Sequence, residues 1–283
     1  MPIDPEKALG AEAAPVRTTW QATDVILYQL GLGAGRERPT DPAELRYVYE
    51  QGLTVLPTFA VVPGLKAIGD PNDFPGIDFD LSRLLHAEHE VRVNGPIAKR
   101  GSVTSTTRVA EVWDKGKNAL VVLEVNSADE DGQVQFINRL TMFLRGEGGF
   151  GGEPGPDTTV AVPDRSPDHT LRSSTDPAQA LLYRLSGDLN PLHADPEFAR
   201  KAGFEAPILH GLCSYGVVGK AVVDAALGGA VERVRAYRAR FSGIVTPGDV
   251  LTTSVWEDGD RLLFTSSVGD RPVLTNGVLE VVV

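Results

Sequence analysis

The chain reads as one pattern written twice, and that repetition limits its possible folds more than any other feature. The stretch "GEGGFGGEPGPDTTVAVPDRSPD", from Gly146 to Asp168, is rich in Gly and Pro and separates two halves of similar size. Each half opens on a short helical pattern with a tyrosine, "TDVILYQLGLGAG" and "PAQALLYRLSGD". Each continues through a proline into an apolar segment, "LPTFAVVPG" and "APILHGLCSYGVVGKAVVDAALGG". Each ends in long strand-like runs, and "DKGK" and "EDGD" have the composition of hairpin turns. Helices followed by antiparallel strands, twice over, is an α+β arrangement. Residues 1–150 form the first expected unit, 151–168 the linker and 169–283 the second unit. The segment from Leu212 to Leu227 is apolar almost all round, as expected of a helix buried on most sides.

Composition removes several classes of function. With 42% hydrophobic and 23% charged residues, the 283-residue chain can bury a large core. The formal net charge of -11 argues against nucleic acid or an anionic membrane as a partner. An internal disulfide is impossible with Cys213 alone, which fits a reducing, cytoplasmic setting. "MPIDPEKALGAEAAP" lacks the apolar core of a secretion signal, and no apolar run is long enough to span a membrane. "GEGGFG" formally matches a dinucleotide motif, but Pro154 and Pro156 stand where that motif needs a helix to begin.

Chemistry concentrates in "YRLSGDLNPLHADPEFA", Tyr183 to Ala199. Pro191 pushes Asn190 out of the helical region, and Gly187 permits an unusual backbone before Asp188. The helix carrying Tyr183 must end there. A new one starts after Asp195, a good N-cap, with Pro196 at its first position and Gly203 as its stop. Asp188, Asn190 and His193 thus share a loop pinned at both ends. In "APILHGLCSYG", Gly211 opens the buried helix, where its amide has no acceptor within the helix and favours negative charge. An acid/base pair with an oxyanion donor suits chemistry beside a carbonyl. His86 and His89 have the spacing of a metal pair but no third ligand, so no metal is expected.

The loop resembles the signature of the hydratase 2 family of MaoC-like dehydratases at Tyr183, Ser186, Gly187, Asp188, Asn190, Pro191, His193 and Ala199. "LPTF", "WDKGK", "RGEGGFGG", "AGFEAPILHGLC" and "RFSGIVTPG" extend the likeness along essentially the whole chain. The resemblance implies a double hot-dog, each half an antiparallel sheet wrapped around a central helix, and a homodimer. It implies a catalytic second half and a degenerate first half that accommodates the acyl chain. The implied reaction is reversible hydration of a trans-2-enoyl-CoA to the (3R)-3-hydroxyacyl-CoA, in fatty-acid or steroid side-chain β-oxidation. Asp188 and His193 would hold the water, Asn190 would orient it or the pair, and Gly211 N–H would bind the oxyanion. No cofactor beyond the substrate's own coenzyme A is implied.

By the same resemblance, CoA contacts would come from His86, Ala87, Lys115 and Phe241, around a locally basic mouth. Family members commonly carry His-Gly where this chain has His86-Ala87, a departure that bears on acyl specificity. Two other functions compete. A hot-dog thioesterase would need a carboxylate on the central helix, which has none before Asp224. A non-catalytic acyl-CoA-binding protein would have no need of both Asp188 and His193.

Overall fold

The structure, a computed structural model, describes residues 3–282; residues 1, 2 and 283, the outermost of the two expected units and of the terminal segments, lie outside it. The strands are β1 (Val16–Trp20), β2 (Leu84–Val93), β3 (Gly101–Lys115), β4 (Asn118–Ala128) and β5 (Val134–Leu144) in the first half. In the second they are β6 (His169–Ser174), β7 (Val234–Phe241), β8 (Val250–Asp258), β9 (Arg261–Val268) and β10 (Arg271–Val281). All join one antiparallel sheet in the order β1-β3-β4-β5-β2-β7-β10-β9-β8-β6. The halves therefore meet at a single seam, β2 against β7, paired from Glu88↔Arg240 to Arg92↔Ala236.

Among the described residues, seven α-helices accompany the sheet: α1 (Pro5–Ala8), α2 (Ala22–Gly31), α3 (Pro42–Val48), α4 (Val61–Leu65), α5 (Gln179–Tyr183), α6 (Pro196–Lys201) and α7 (Gly211–Leu227). The sheet curls around α7, which buries Leu212 to Gly219 without interruption and stops at Gly228 in the left-handed conformation. Residues of both halves surround it in one core, Tyr28, Phe59 and Val61 from the first and Tyr237, Leu251 and Phe264 from the second. This is the double hot-dog architecture.

The first half departs from the expected symmetry. Its counterpart of the central helix is only a 3-10 turn, Pro57–Ala60, followed by the five residues of α4. Pro57 sits at the N-terminus of the turn, and Pro63 lacks the amide that would continue a helix. The shortened element leaves unfilled the volume that a second long helix would occupy, next to β2 and β5.

No helix or strand lies between Leu144 and His169, yet this segment is held down at both ends. The Asp114 carboxylate accepts N–H bonds from Gly116 (2.8 Å), Gly149 (3.0 Å) and Gly151 (2.7 Å), so the glycine run folds around it. Further on, Gly155 lies on the Trp113 indole, and Arg240 Nη2 donates to Thr158 Oγ1 at 2.8 Å. The segment forms a strap across the outer face of the sheet.

Close packing under α4 yields a testable expectation. A Cβ on Gly64 would lie 2.3 Å from Nδ2 of the buried Asn138, which donates to the Ala60 carbonyl and faces His89. Gly64→Ala should raise helix propensity yet destabilise the protein by about 1–3 kcal/mol through overpacking. Urea denaturation of both forms measures the difference, and an unchanged or higher midpoint would refute the contact.

Candidate active site

The site is assembled where the helix ending at Tyr183 gives way to the loop. After α5 comes a 3-10 turn, Arg184–Ser186, and then Gly187 at φ 128°, a conformation that disfavours a side chain. The chain reverses there and presents Asp188, whose Oδ1 accepts the Asn190 N–H at 3.2 Å. Asn190 Oδ1 accepts the Leu192 N–H at 3.0 Å and caps the short turn Pro191–His193. The exposed Asn190 side chain therefore shapes the backbone that carries His193.

Backbone carbonyls orient the imidazoles. His193 Nδ1 lies 2.8 Å from the Ile208 carbonyl. A carbonyl only accepts, so Nδ1 carries the proton and neutral His193 offers its lone pair at Nε2. His210 Nε2 likewise donates to the Asp188 carbonyl at 3.1 Å. The two rings stack, with centroids 3.7 Å apart at 28°. One ligating atom from each of Asp188, His193 and His210 lies within 4.8 Å of the others. His193 is 8% exposed and His210 1%, whereas Asp188 is half-buried. Burial lowers the His193 pKa, opposed by the Ile208 carbonyl and Asp188. Burial, with His193 next, takes His210 down to about 4. Both rings are thus neutral near pH 7.

Gly211 is the first residue of α7, and among the described residues its N–H makes no hydrogen bond. A Cβ there would sit 3.2 Å from the Phe241 ring, so any side chain would crowd the approach to that amide. Phe241 packs edge-on against His86, with centroids 4.8 Å apart, and His86 against His89 at 5.3 Å. Strict alternation would put His86 and His89 on opposite faces of β2. A bulge at Ala87, unpaired between His86↔Met142 and Glu88↔Thr141, shifts the phase and turns both inward. Among the described residues, Asp188, His193 and His210 form the cluster with metal-ligand spacing; His86 and His89 belong to none.

Two cavities flank the seam. The inner one, about 450 Å³, is lined by Tyr183, Ser186, Gly187, Asp188 and Leu212 from the second half. Its remaining wall comes from the first half and includes Val61, Val62, Leu65, His86 and Met142. The outer groove, about 740 Å³, holds Ala87, Trp113, Lys115, Arg238 and Arg240 under the strap residues Gly155 to Thr158. Sequence analysis assigned His86, Ala87, Lys115 and Phe241 to CoA contacts by resemblance. The structure separates them, with His86 and Phe241 inside beside Gly211 and Ala87 and Lys115 outside. The groove is lined by five basic side chains, Arg92, Lys115, Arg139, Arg238 and Arg240, against the acidic Glu88, Glu90, Glu111 and Asp157. The seam ends near both cavities: β2 and β7 stop pairing at Glu88↔Arg240, and His86, Ala87 and Phe241 lie just beyond it.

Three further residues were given no role from the sequence, although Ser186 was noted there as a signature position. The His210 ring had been read only as the neighbour of Gly211. Arg184 Nη2 donates to the Leu189 carbonyl at 3.1 Å and steadies the loop. Ser186 Oγ is buried at the inner cavity without a partner. His210-Gly211 was visible in the sequence; the contacts of Arg184 and Ser186 depend on how the loop folds back.

The fold and site together define a MaoC-like dehydratase architecture. Residues 19–146 match the family model of the MFE-2 hydratase 2 N-terminal domain, and residues 158–278 match the MaoC like domain. The chain is 47% identical over 282 residues to enoyl-CoA hydratase ChsH3 of Mycobacterium tuberculosis, with 98% of each chain covered. It is 39% identical over 278 residues to a peroxisomal enoyl-CoA hydratase 2 of Arabidopsis thaliana, covering 93% of this chain and 90% of that one. The crystal structure of a MaoC-like dehydratase from Phytophthora capsici superposes with a TM-score of 0.88 at 30% identity, over 99% and 98% of the two chains. The chain belongs to the hydratase 2 family of MaoC-like dehydratases.

Four histidines, His89, His193 and His210 buried and His86 partly so, should limit stability in acid. Burial holds His86 well below the ordinary value, brings His89 to about 4 and lowers His193 and His210. Below pH ~6.5 the unfolded chain binds protons that the folded chain refuses, so stability falls as pH drops through that value. His89 alone should cost on the order of 3 kcal/mol by pH 4. Thermal denaturation across pH 4 to 8 should show this loss; a flat profile below pH ~6.5 would contradict it.

Proposed function

We propose that the chain catalyses the reversible hydration of trans-2-enoyl-CoA thioesters to (3R)-3-hydroxyacyl-CoA, with Asp188 and His193 holding the reacting water. The observation that carries this reading is the cluster itself. The half-buried Asp188 carboxylate lines the inner cavity, the neutral His193 ring has a ligating atom within 4.8 Å of it, and a Gly211 amide with no partner among the described residues lies at the N-terminus of α7.

One water between the pair accounts for both new bonds. His193 Nε2 accepts one of its hydrogens and fixes the orientation of its oxygen. Asp188 takes the other proton as the oxygen attacks C3. The displaced electrons collect on the thioester oxygen, where Gly211 N–H stabilises them, a contribution on the order of 10²–10³ in rate for such donors. As the enolate collapses, Asp188 returns the proton to C2 and regenerates its carboxylate. Because one group handles the proton, both additions occur on the same face.

The seam opening gives the substrate a route. We assign the pantetheine to the passage beside His86, Ala87 and Phe241, the nucleotide to the outer groove with Lys115, and the acyl chain to the inner cavity. In that reading the first half shapes the acyl site and the second does the chemistry. The thioesterase reading finds no support on α7, whose Asp224 carboxylate is already held by Tyr47 at 2.6 Å and Lys220 at 2.8 Å. A cytoplasmic homodimer completes the proposal, supported by the buried, unpaired Cys213 and by exposed leucines 181, 185 and 189 near the site.

Loss of enoyl-thioester absorbance without release of free thiol tests the activity, and chiral analysis should return the (3R) alcohol. A mainly (3S) product, or thiol release, would reject the assignment. Asp188→Asn and His193→Gln should each fold normally and lower kcat by at least about 10², with the double variant little worse than the poorer single one. Near wild-type turnover in either single variant would remove that residue from the mechanism.

Binding contacts should behave differently. Lys115→Ala should raise KM for CoA thioesters, more at low salt than at high, with kcat little changed. Ala87→Gly should alter KM or the order of preference among short and bulky acyl groups while kcat for the best substrate moves only a few-fold. Steady-state kinetics on both variants checks this, and two unchanged substrate profiles would leave the first half with a structural role alone.

A further inference from the structure

We propose that His210 is a positioning residue for the hydration reaction, holding the backbone of Asp188 and the ring plane of His193 so that both face one water. The inference rests on the reading above and adds to it a residue that touches neither C2 nor C3.

Three observations converge on this ring. First, its Nε2–H donates to the Asp188 carbonyl at 3.1 Å. Asp188 stands on a turn with Gly187 at φ 128°, held otherwise by the Asn190 N–H on its own Oδ1 and by Arg184 on the Leu189 carbonyl. A hydrogen bond to the carbonyl of the acid itself fixes the direction in which the carboxylate leaves the chain. Second, the ring stacks on His193 at 3.7 Å and 28°. His193 is held at Nδ1 by the Ile208 carbonyl, which leaves rotation about that bond free; the stacked face removes it. Third, His210 is the N-cap residue of α7, and its own carbonyl accepts from Cys213 and Ser214. The ring that orients the acid/base pair therefore belongs to the residue that precedes the Gly211 amide. Pair and oxyanion donor are registered through one residue.

The environment keeps His210 neutral, as the role requires. The groups facing it are Asp188 from the loop, His193 from the following turn, Tyr183 at 5.0 Å from α5, and Arg184 after it. Its Nδ1 is buried and has no partner. A ring kept for packing alone would be replaced without loss by an apolar side chain, since that nitrogen is left unsatisfied. What an apolar side chain lacks is the Nε2–H.

The experiment uses His210→Gln, which keeps an amide N–H for the Asp188 carbonyl, and His210→Ala, which removes it, each alone and with Asp188→Asn. In the wild-type background, His210→Ala should lower kcat at least about 10-fold with KM for the enoyl-CoA changed less than about 2-fold, and His210→Gln should recover most of the loss. Because His210 acts through Asp188, its removal should cost little once Asp188 is Asn. If His210→Ala costs the same factor in both backgrounds, or both variants turn over at wild-type rates, the inference is overturned. Should the alanine variant fail to fold, His210→Asn, whose shorter amide falls short of the Asp188 carbonyl, replaces it with the same expectations. A wild-type enzyme that hydrates no enoyl-CoA would instead overturn the proposed function.

Discussion

One strand pairing makes the two halves of this protein a single sheet. β2 and β7 share five residue pairs, Glu88↔Arg240 to Arg92↔Ala236, and these make a single ten-stranded sheet out of two halves. Backbone hydrogen bonds hold the seam, and the Glu88–Arg240 ion pair, 3.4 Å apart, sits at its last rung. Past that rung the strands part, with the Ala87 bulge on one side and Phe241 on the other. The sheet is continuous enough to enclose α7 and interrupted just where the inner cavity and the outer groove approach each other. A longer seam would close that opening; a shorter one would cost the shared core its wall.

The second constraint is how little of the site depends on side chains binding one another. Ile208 and Asp188 lend backbone carbonyls to His193 and His210, Leu189 lends its own to Arg184, and Asn190 caps the turn beneath His193. Carbonyls accept and never donate, so they set the imidazole tautomers as well as their positions. Burial then keeps both rings neutral, which leaves the lone pair of His193 Nε2 free. Precision here comes from chain geometry, and the same loop sequence on a looser scaffold would not hold it.

Much of this was legible in the sequence because the relevant signals were local. Pro191, Gly187 and the Asp195-Pro196 cap define the loop by backbone preferences alone, and the apolar run from Leu212 to Leu227 defines α7. The degeneracy of the first half was visible as "DVILYQLGLGAG" in place of an Asp/His loop. The collapse of its central helix to Pro57–Leu65 was not foreseen, although Pro63 was in view, because an apolar run that short fits either a helix or a turn. Illegible altogether were facts that arise from pairing register. The Ala87 bulge brings His86 and His89 to one face and divides the four residues assigned to CoA between two sides of a sheet. The His210 ring was hidden for a similar reason, since its partner is a carbonyl twenty-two residues away.

The strap carries a consequence for how this chain can vary. A connection between two similar units is ordinarily the most forgiving part of a fold, because each doubling of a loop's length costs only about 0.6 kcal/mol of closure entropy. Here the connection is wound on Asp114, laid on Trp113 and fastened by Arg240, and it forms one wall of the outer groove. The tether has become part of the container. Its length and composition are therefore tied to the shape of the groove it walls, and an insertion there would alter that shape while the two halves stayed folded.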